Sequence, residues 1–104
     1  MEDLKRVEEL MEMLISSLLK WRYQRDRRTT ATKRLIRKQR TEIAEMSEAF
    51  PSVLEKLNSE DFLNQIWEKA VFNLEYETQF GDLFPPKPIW TIEEIVFNVH
   101  FLPN

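Results

Sequence analysis

Apolar residues recur through the first fifty positions at helical intervals. Leu4, Val7, Met11, Leu14, Leu18 and Trp21 are separated by alternating steps of three and four, which places them on one face of an α-helix. Leu10, Ile15 and Leu19 widen that stripe. A wide stripe suits a helix packed in a bundle better than the narrow seam of a two-stranded coil. The pattern predicts a first helix from about residue 3 to about residue 24. A second stripe follows at Leu35, Ile36, Ile43, Met46 and Phe50. Between the two stripes, Thr29-Thr30-Ala31-Thr32 offers residues of low helix propensity and candidate N-caps. A turn is therefore expected over residues 26–30, with a second helix running to about Ala49. The alternative is one continuous helix over residues 3–49, about 70 Å long at roughly 1.5 Å per residue.

The breakers all lie later in the chain. The five prolines stand at position 51 or beyond, and the single glycine is Gly81. Pro51 is expected to end the second helix and can open the next turn, and Ser52 with Glu55 fits a capping box for a short helical turn through Leu57. Ser59 is placed to cap a third long helix. Its stripe is Leu63, Ile66, Trp67, Ala70, Val71 and Leu74, and its end falls near Phe80, with Gly81 as the stop. Pro85, Pro86 and Pro88 make a stiff, extended connector. Thr91 and Glu94 repeat the capping-box pattern and open a short last helix, with Ile92, Ile95, Val96 and Val99 on one face. Pro103 closes the run.

The expected fold class is therefore all-α: a small helical bundle, with two long helices as a hairpin, a third long helix packed across them and a short C-terminal helix. The 104 residues are read as a single helical domain, 1–104. The core is expected to include Val7, Leu14, Leu18, Trp21, Ile36, Ile43, Ile66, Trp67, Ala70, Leu74 and Ile95.

Charge changes the picture more than composition does. Residues 1–19 carry a formal −3, residues 20–40 carry +9 and residues 41–104 carry −9, for a net charge of −3. A hairpin of the first two helices would gather the like charge of residues 20–40 at one tip. The first helix starts acidic and ends basic, in accord with the helix dipole. The second does the reverse, with Lys33, Arg34, Arg37, Lys38 and Arg40 early and Glu42, Glu45 and Glu48 late. Cations near a helix N-terminus are unfavourable by about 0.3–1 kcal/mol each. Such a tip needs a compensating partner, or it persists because something anionic binds there.

Three readings of the tip stand side by side. It can be a solvated face, partly neutralised by Glu60, Asp61, Glu68 and Glu75 of the third helix. It can bind phosphate in RNA or DNA, with Trp21 and Tyr23 stacking on bases. A sequence pI near 5.2 and the place of Trp21 on the apolar stripe count against that. Or it can pair with an acidic protein, or with the acidic C-terminal part of a second copy. The candidate anion or partner surface is Lys20, Arg22, Arg25, Arg27, Arg28, Lys33, Arg34, Arg37 and Lys38.

Catalytic chemistry finds little support. The one histidine, His100, sits between Val99 and Phe101 beside the C-terminus, a common place for a packed or surface residue. One glycine makes no phosphate loop. Ser16-Ser17 lie within an apolar stripe with no histidine nearby. Glu42, Glu45, Glu75 and Glu77 lack the Glu-x-x-His partner of a di-metal site. No catalytic, cofactor or metal residue is assigned, and no cofactor or small-molecule ligand is expected. Without cysteine there are neither disulfides nor thiolate metal sites, which is compatible with a reducing cytoplasm. The apolar runs are too short to span a membrane, and Glu2 and Asp3 stand where a signal peptide would carry basic residues.

One resemblance covers nearly the whole chain. Leu18-Leu19-Lys20-Trp21-Arg22-Tyr23-Gln24, followed by Arg27-Arg28, resembles the opening motif of the uncharacterised bacterial family called domain of unknown function 29. Arg34, Ile36 and Gln39-Arg40-Thr41-Glu42-Ile43 resemble its second motif, and Pro51-Ser52-Val53 its Pro-Ser-Leu. Glu77-Thr78 lies where the family often has Glu-Thr-Gly. Phe84-Pro85, then Trp90-Thr91-Ile92-Glu93-Glu94-Ile95 and Phe101-Leu102-Pro103, resemble its closing motif. The resemblance implies an all-helical fold and no assigned activity, and it supplies no site residue.

Two departures matter. Family members usually carry further helical sequence ahead of the position of Glu2, and Arg25 stands where the family often has proline. The first departure would leave an apolar face less covered, to be met by self-association or a partner helix. The functional expectation is a non-catalytic protein–protein interaction module, with a protein partner or a homo-oligomer. The alternative is a nucleic-acid-binding accessory factor using the basic segment 20–40.

Overall fold

In the computed structural model, which describes residues 2–79 and 83–103, the first apolar stripe becomes helix α1 (Glu2–Tyr23). Its buried set is wide, from Val7 through Leu10, Met11, Leu14, Ile15, Leu18 and Leu19 to Trp21. The width has a simple cause: α1 is sandwiched between α2 (Thr30–Ala49) and α4 (Glu60–Thr78) and buries a side against each.

The chain breaks between α1 and α2, as the threonine run predicts. Arg25–Arg27 form a single 3-10 turn, and Thr29 is the N-cap of α2, its Oγ1 accepting from the Thr32 N–H at 3.1 Å. The turn forms with Arg25 where the family often has proline. The longest dimension of the molecule, 36 Å, excludes a single rod of about 70 Å. The hairpin is antiparallel: Arg6 near the start of α1 reaches Glu42 in the second half of α2 at 3.4 Å. Helix α4 runs along α1 in the same direction, with Asn73 donating to Glu12 and Lys20 meeting Glu77.

Phe50 alone joins α2 to α3 (Pro51–Leu57). It is extended, its N–H caps the Met46 carbonyl at 2.9 Å, and its own carbonyl accepts from Val53 at 2.9 Å. Pro51 disfavours the helical conformation at Phe50 and is itself well suited to the first helical position. This corrects one expectation. Ser52 is not an N-cap and makes no capping box with Glu55, because the helix has already begun at Pro51. Ser59 is the N-cap residue of α4, though its side chain makes no capping bond. The helix stops at Thr78, and Gln79 takes the left-handed conformation (φ 61°) while its N–H bonds to Glu75 at 2.8 Å. The expected end at Phe80 and stop at Gly81 lie outside the described residues.

The proline-rich connector is pinned to the bundle by aromatic residues. The fully buried Trp67 donates its indole N–H to the Pro85 carbonyl at 2.9 Å. Trp90 packs edge-on against Trp67 (5.4 Å) and against Phe101 (5.9 Å), and the buried Phe84 meets Tyr23 at 5.8 Å. Beyond it, the last helix is a single wide π turn (Glu93–Phe97), seated on α2 and α1.

The Thr91–Glu94 capping box forms in both directions: Glu94 N–H donates to Thr91 Oγ1 at 3.1 Å, and Thr91 N–H to Glu94 Oε1 at 3.0 Å. The expected place of Val99 on the turn's buried face is corrected, since the helix has ended at Asn98 and Val99 is exposed. Thr91→Ala should lower stability by about 1 kcal/mol. It should lower the melting temperature by about 5 °C, with Thr91→Ser restoring most of it. Equal melting of Thr91→Ala and wild type would show that the box does not hold the turn.

All eleven residues expected in the core are buried. Phe62, Val53 and Leu57 join them. On α2 the expected stripe needs correction. Leu35 and Phe50 are exposed, and the buried face is completed instead by Gln39, Arg40 and Ser47.

Candidate functional site

The nine cations expected to form one surface are sorted by the fold into separate environments. Lys20 sits on the α4 side of α1, half-buried, with its Nζ 3.2 Å from Glu77. Arg28 is turned inward: Nε donates to the Trp21 carbonyl at 2.7 Å and Nη2 to the Arg22 carbonyl at 3.5 Å. Its guanidinium lies 5.7 Å from the Trp21 ring centre. Arg28 thus serves the C-terminal carbonyls of α1, where a cation also suits the helix dipole. Arg22 lies over the Tyr23 ring at 4.9 Å, and Arg25 is exposed on the 3-10 turn. The backbone of Arg27 closes that turn, and its side chain lies outside the described part.

On α2 the four cations divide between two faces. Arg34 and Lys38, four residues apart, are exposed. Lys33 and Arg37, also four apart, border a cavity of about 230 Å³ between α2 and the C-terminal segment, together with Arg40 and His100. Among the described residues, none of these α2 cations has an ion pair. Among the described residues, the four acids expected to neutralise the tip, Glu60, Asp61, Glu68 and Glu75, form no ion pair either. The acid of α4 that meets a candidate cation is Glu77, on Lys20.

Arg40, which the candidate set omits, is the best-held cation in the molecule. It is buried, its Nε donates to the Ile95 carbonyl at 2.7 Å, and its Nη2 donates to the carbonyls of Phe101 (2.8 Å) and Glu94 (3.1 Å). These bonds clamp the C-terminal segment onto α2. Among the described residues no carboxylate pairs with it, and burial pushes its guanidinium below the ordinary arginine range. It remains charged at neutral pH. A sequence signal for it exists: Arg40 stands four residues after Ile36 and three before Ile43, in phase with the buried stripe.

The aromatic rings expected to stack on bases are engaged within the protein. Trp21 is buried, and Tyr23 packs against Phe84. Exposed apolar side chains lie elsewhere: Met13 on α1, and Phe72 and Tyr76 on α4, the last two 69% and 83% exposed. Among the described residues, no helix is long and apolar enough to cross a membrane, and no group of three or more His, Asp or Glu side chains is placed to hold a metal ion.

These elements define a small all-α protein, a hairpin of two long helices backed by a third, with its C-terminal segment clamped on the second. The family model described as domain of unknown function DUF29 matches residues 1–101, and the chain belongs to that family. No match was found among curated proteins or among solved structures.

Proposed function

We propose that this protein is a non-catalytic interaction module whose cationic hairpin tip docks an acidic surface of a partner protein. One observation carries this reading: of the eight candidate cations with described side chains, only Lys20 meets a carboxylate. Arg22, Arg25, Arg34 and Lys38 are exposed and without an ion pair. On α2 the arrangement does not serve the fold. Helix α2 has no acid in its first turn and no base in its last, so its charges oppose its own dipole at both ends. Cations kept at that expense suit an anionic partner, which they steer and orient. A chain without cysteine is at home in a reducing cytoplasm, where we place it.

Nucleic acid is the weaker occupant, because the aromatic faces that would stack on bases are used in internal packing. The test compares a glutamate-rich peptide with single- and double-stranded RNA and DNA, at low and physiological salt. The probes are titrated against wild type and the variant R22E/R25E/R34E/K38E. The expected result is saturable peptide binding that the variant abolishes, with nucleic acid held only at low salt. Nucleic-acid binding that survives physiological salt, with the steep salt dependence of phosphate contacts, would replace the reading. Absence of binding to every probe would overturn it.

A further inference from the structure

The cavity between α2 and the C-terminal segment has an unusual electrostatic lining. Lys33, Arg37, Arg40 and His100 border it, and among the described residues no aspartate or glutamate does. Lys33, Arg37 and Arg40 fall at intervals of four and three on α2, so one helix face delivers all three cations. Arg40 forms the buried part of the wall. Its Nε and Nη2 are spent on three backbone carbonyls, whereas Nη1 donates to none of the described residues. A structural clamp accounts for the first two nitrogens. Among the described residues the Arg40 charge has no counter-ion, which is costly in a protein interior. The remaining walls, Ile36, Val99 and Leu102, are apolar. Val99 is 66% exposed, so the cavity has an apolar rim facing outward.

We propose that this cavity is a binding site for a small phosphate monoester. Three cations with no acid beside them among the described residues match a dianionic head, and the Arg37 guanidinium with the Lys33 ammonium supplies donors to its oxygens. The apolar wall takes the ester substituent. At roughly 30 Å³ for each water-sized group, 230 Å³ holds about eight non-hydrogen atoms, the size of a phosphate group on a short alkyl chain. The site does not depend on the partner surface proposed above, since Arg22, Arg25, Arg34 and Lys38 take no part in its lining.

Propyl phosphate, inorganic phosphate and butyrate titrated into the whole protein, followed by calorimetry and by backbone amide shifts, test the proposal. Propyl phosphate should saturate with a Kd of about 1 mM or below. Amide shifts should concentrate at residues 33–40 and 98–102, and inorganic phosphate and butyrate should both bind more weakly. Lys33→Ala and Arg37→Ala alter exposed side chains, so the fold should survive, as circular dichroism would verify. Each should weaken propyl phosphate by about tenfold, while R34A/K38A should change it by less than about twofold. Three results would overturn the site. One is no saturation up to about 10 mM. Another is butyrate binding as tightly as propyl phosphate. The third is R34A/K38A weakening propyl phosphate as much as Arg37→Ala, which would reveal only a diffuse field.

Discussion

Trp67→Ala should remove about 3–5 kcal/mol of stability, a large share of the roughly 5–15 kcal/mol available to a small domain. Trp67 is fully buried at the centre of α4 and supports two layers at once. Its indole N–H holds the Pro85 carbonyl, and its ring is the face on which Trp90 lies. Truncation opens a cavity, strands a carbonyl and removes the platform of the connector together. Trp67→Phe separates these effects. It keeps most of the ring but removes the donor, and should cost about 1–2 kcal/mol. Urea unfolding followed by far-ultraviolet circular dichroism measures both variants. An unchanged dependence on urea would show that stability moved rather than the compactness of either state. A Trp67→Ala midpoint close to that of wild type would mean that the connector is not docked through this residue.

Much of this architecture is legible in the sequence because it is written in local periodicity. The α1 and α4 stripes repeat every three or four residues, Thr29 and Ser59 sit at helix starts, and the Thr91–Glu94 box forms with both hydrogen bonds. Errors arise where a decision depends on contacts distant in sequence. Leu35 stands on the expected apolar stripe and is exposed, whereas the buried face is completed by Gln39, Arg40 and Ser47. Hydropathy discounts an arginine, and only the arrival of residues 94–101 against α2 supplies the carbonyls that let Arg40 be buried. The Ser52–Glu55 pattern matches a capping box in letters alone, because Pro51 starts its helix earlier. The candidate surface is legible in part for the same reason. The count of cations over residues 20–40 locates the tip. Only the three-dimensional arrangement separates Arg28, which serves α1's carbonyls, from Lys33 and Arg37, which border the cavity. His100 enters that cavity through the fold and through no local motif.

Arg40→Met is the second substitution with a large expected effect, and it isolates the clamp. The thioether side chain fills similar space but leaves the carbonyls of Glu94, Ile95 and Phe101 without their donor. Each buried acceptor left unpaired costs about 1–3 kcal/mol, less where water from the adjacent cavity reaches it. Against this, the variant no longer buries an uncompensated charge. The loss of hydrogen bonds should win, with a net destabilisation of about 2–4 kcal/mol. Arg40→Lys should fall between Arg40→Met and wild type. An ammonium keeps the charge and three donors, but its single nitrogen cannot match the spread of a guanidinium bonding three carbonyls from two nitrogens. The effect should also be local. Amide hydrogens of the π turn and of residues 98–102 should exchange much faster in Arg40→Met, while those at the centre of α1 should follow global stability alone. Unchanged protection of the C-terminal segment in Arg40→Met would show that the aromatic contacts of Trp90 and Phe101 hold it without the clamp. Accelerated exchange confined to that segment would establish that one arginine on α2 fixes the position of the chain's last turn. The Val99–Leu102 wall of the cationic cavity would then be set by the same side chain that supplies its buried charge.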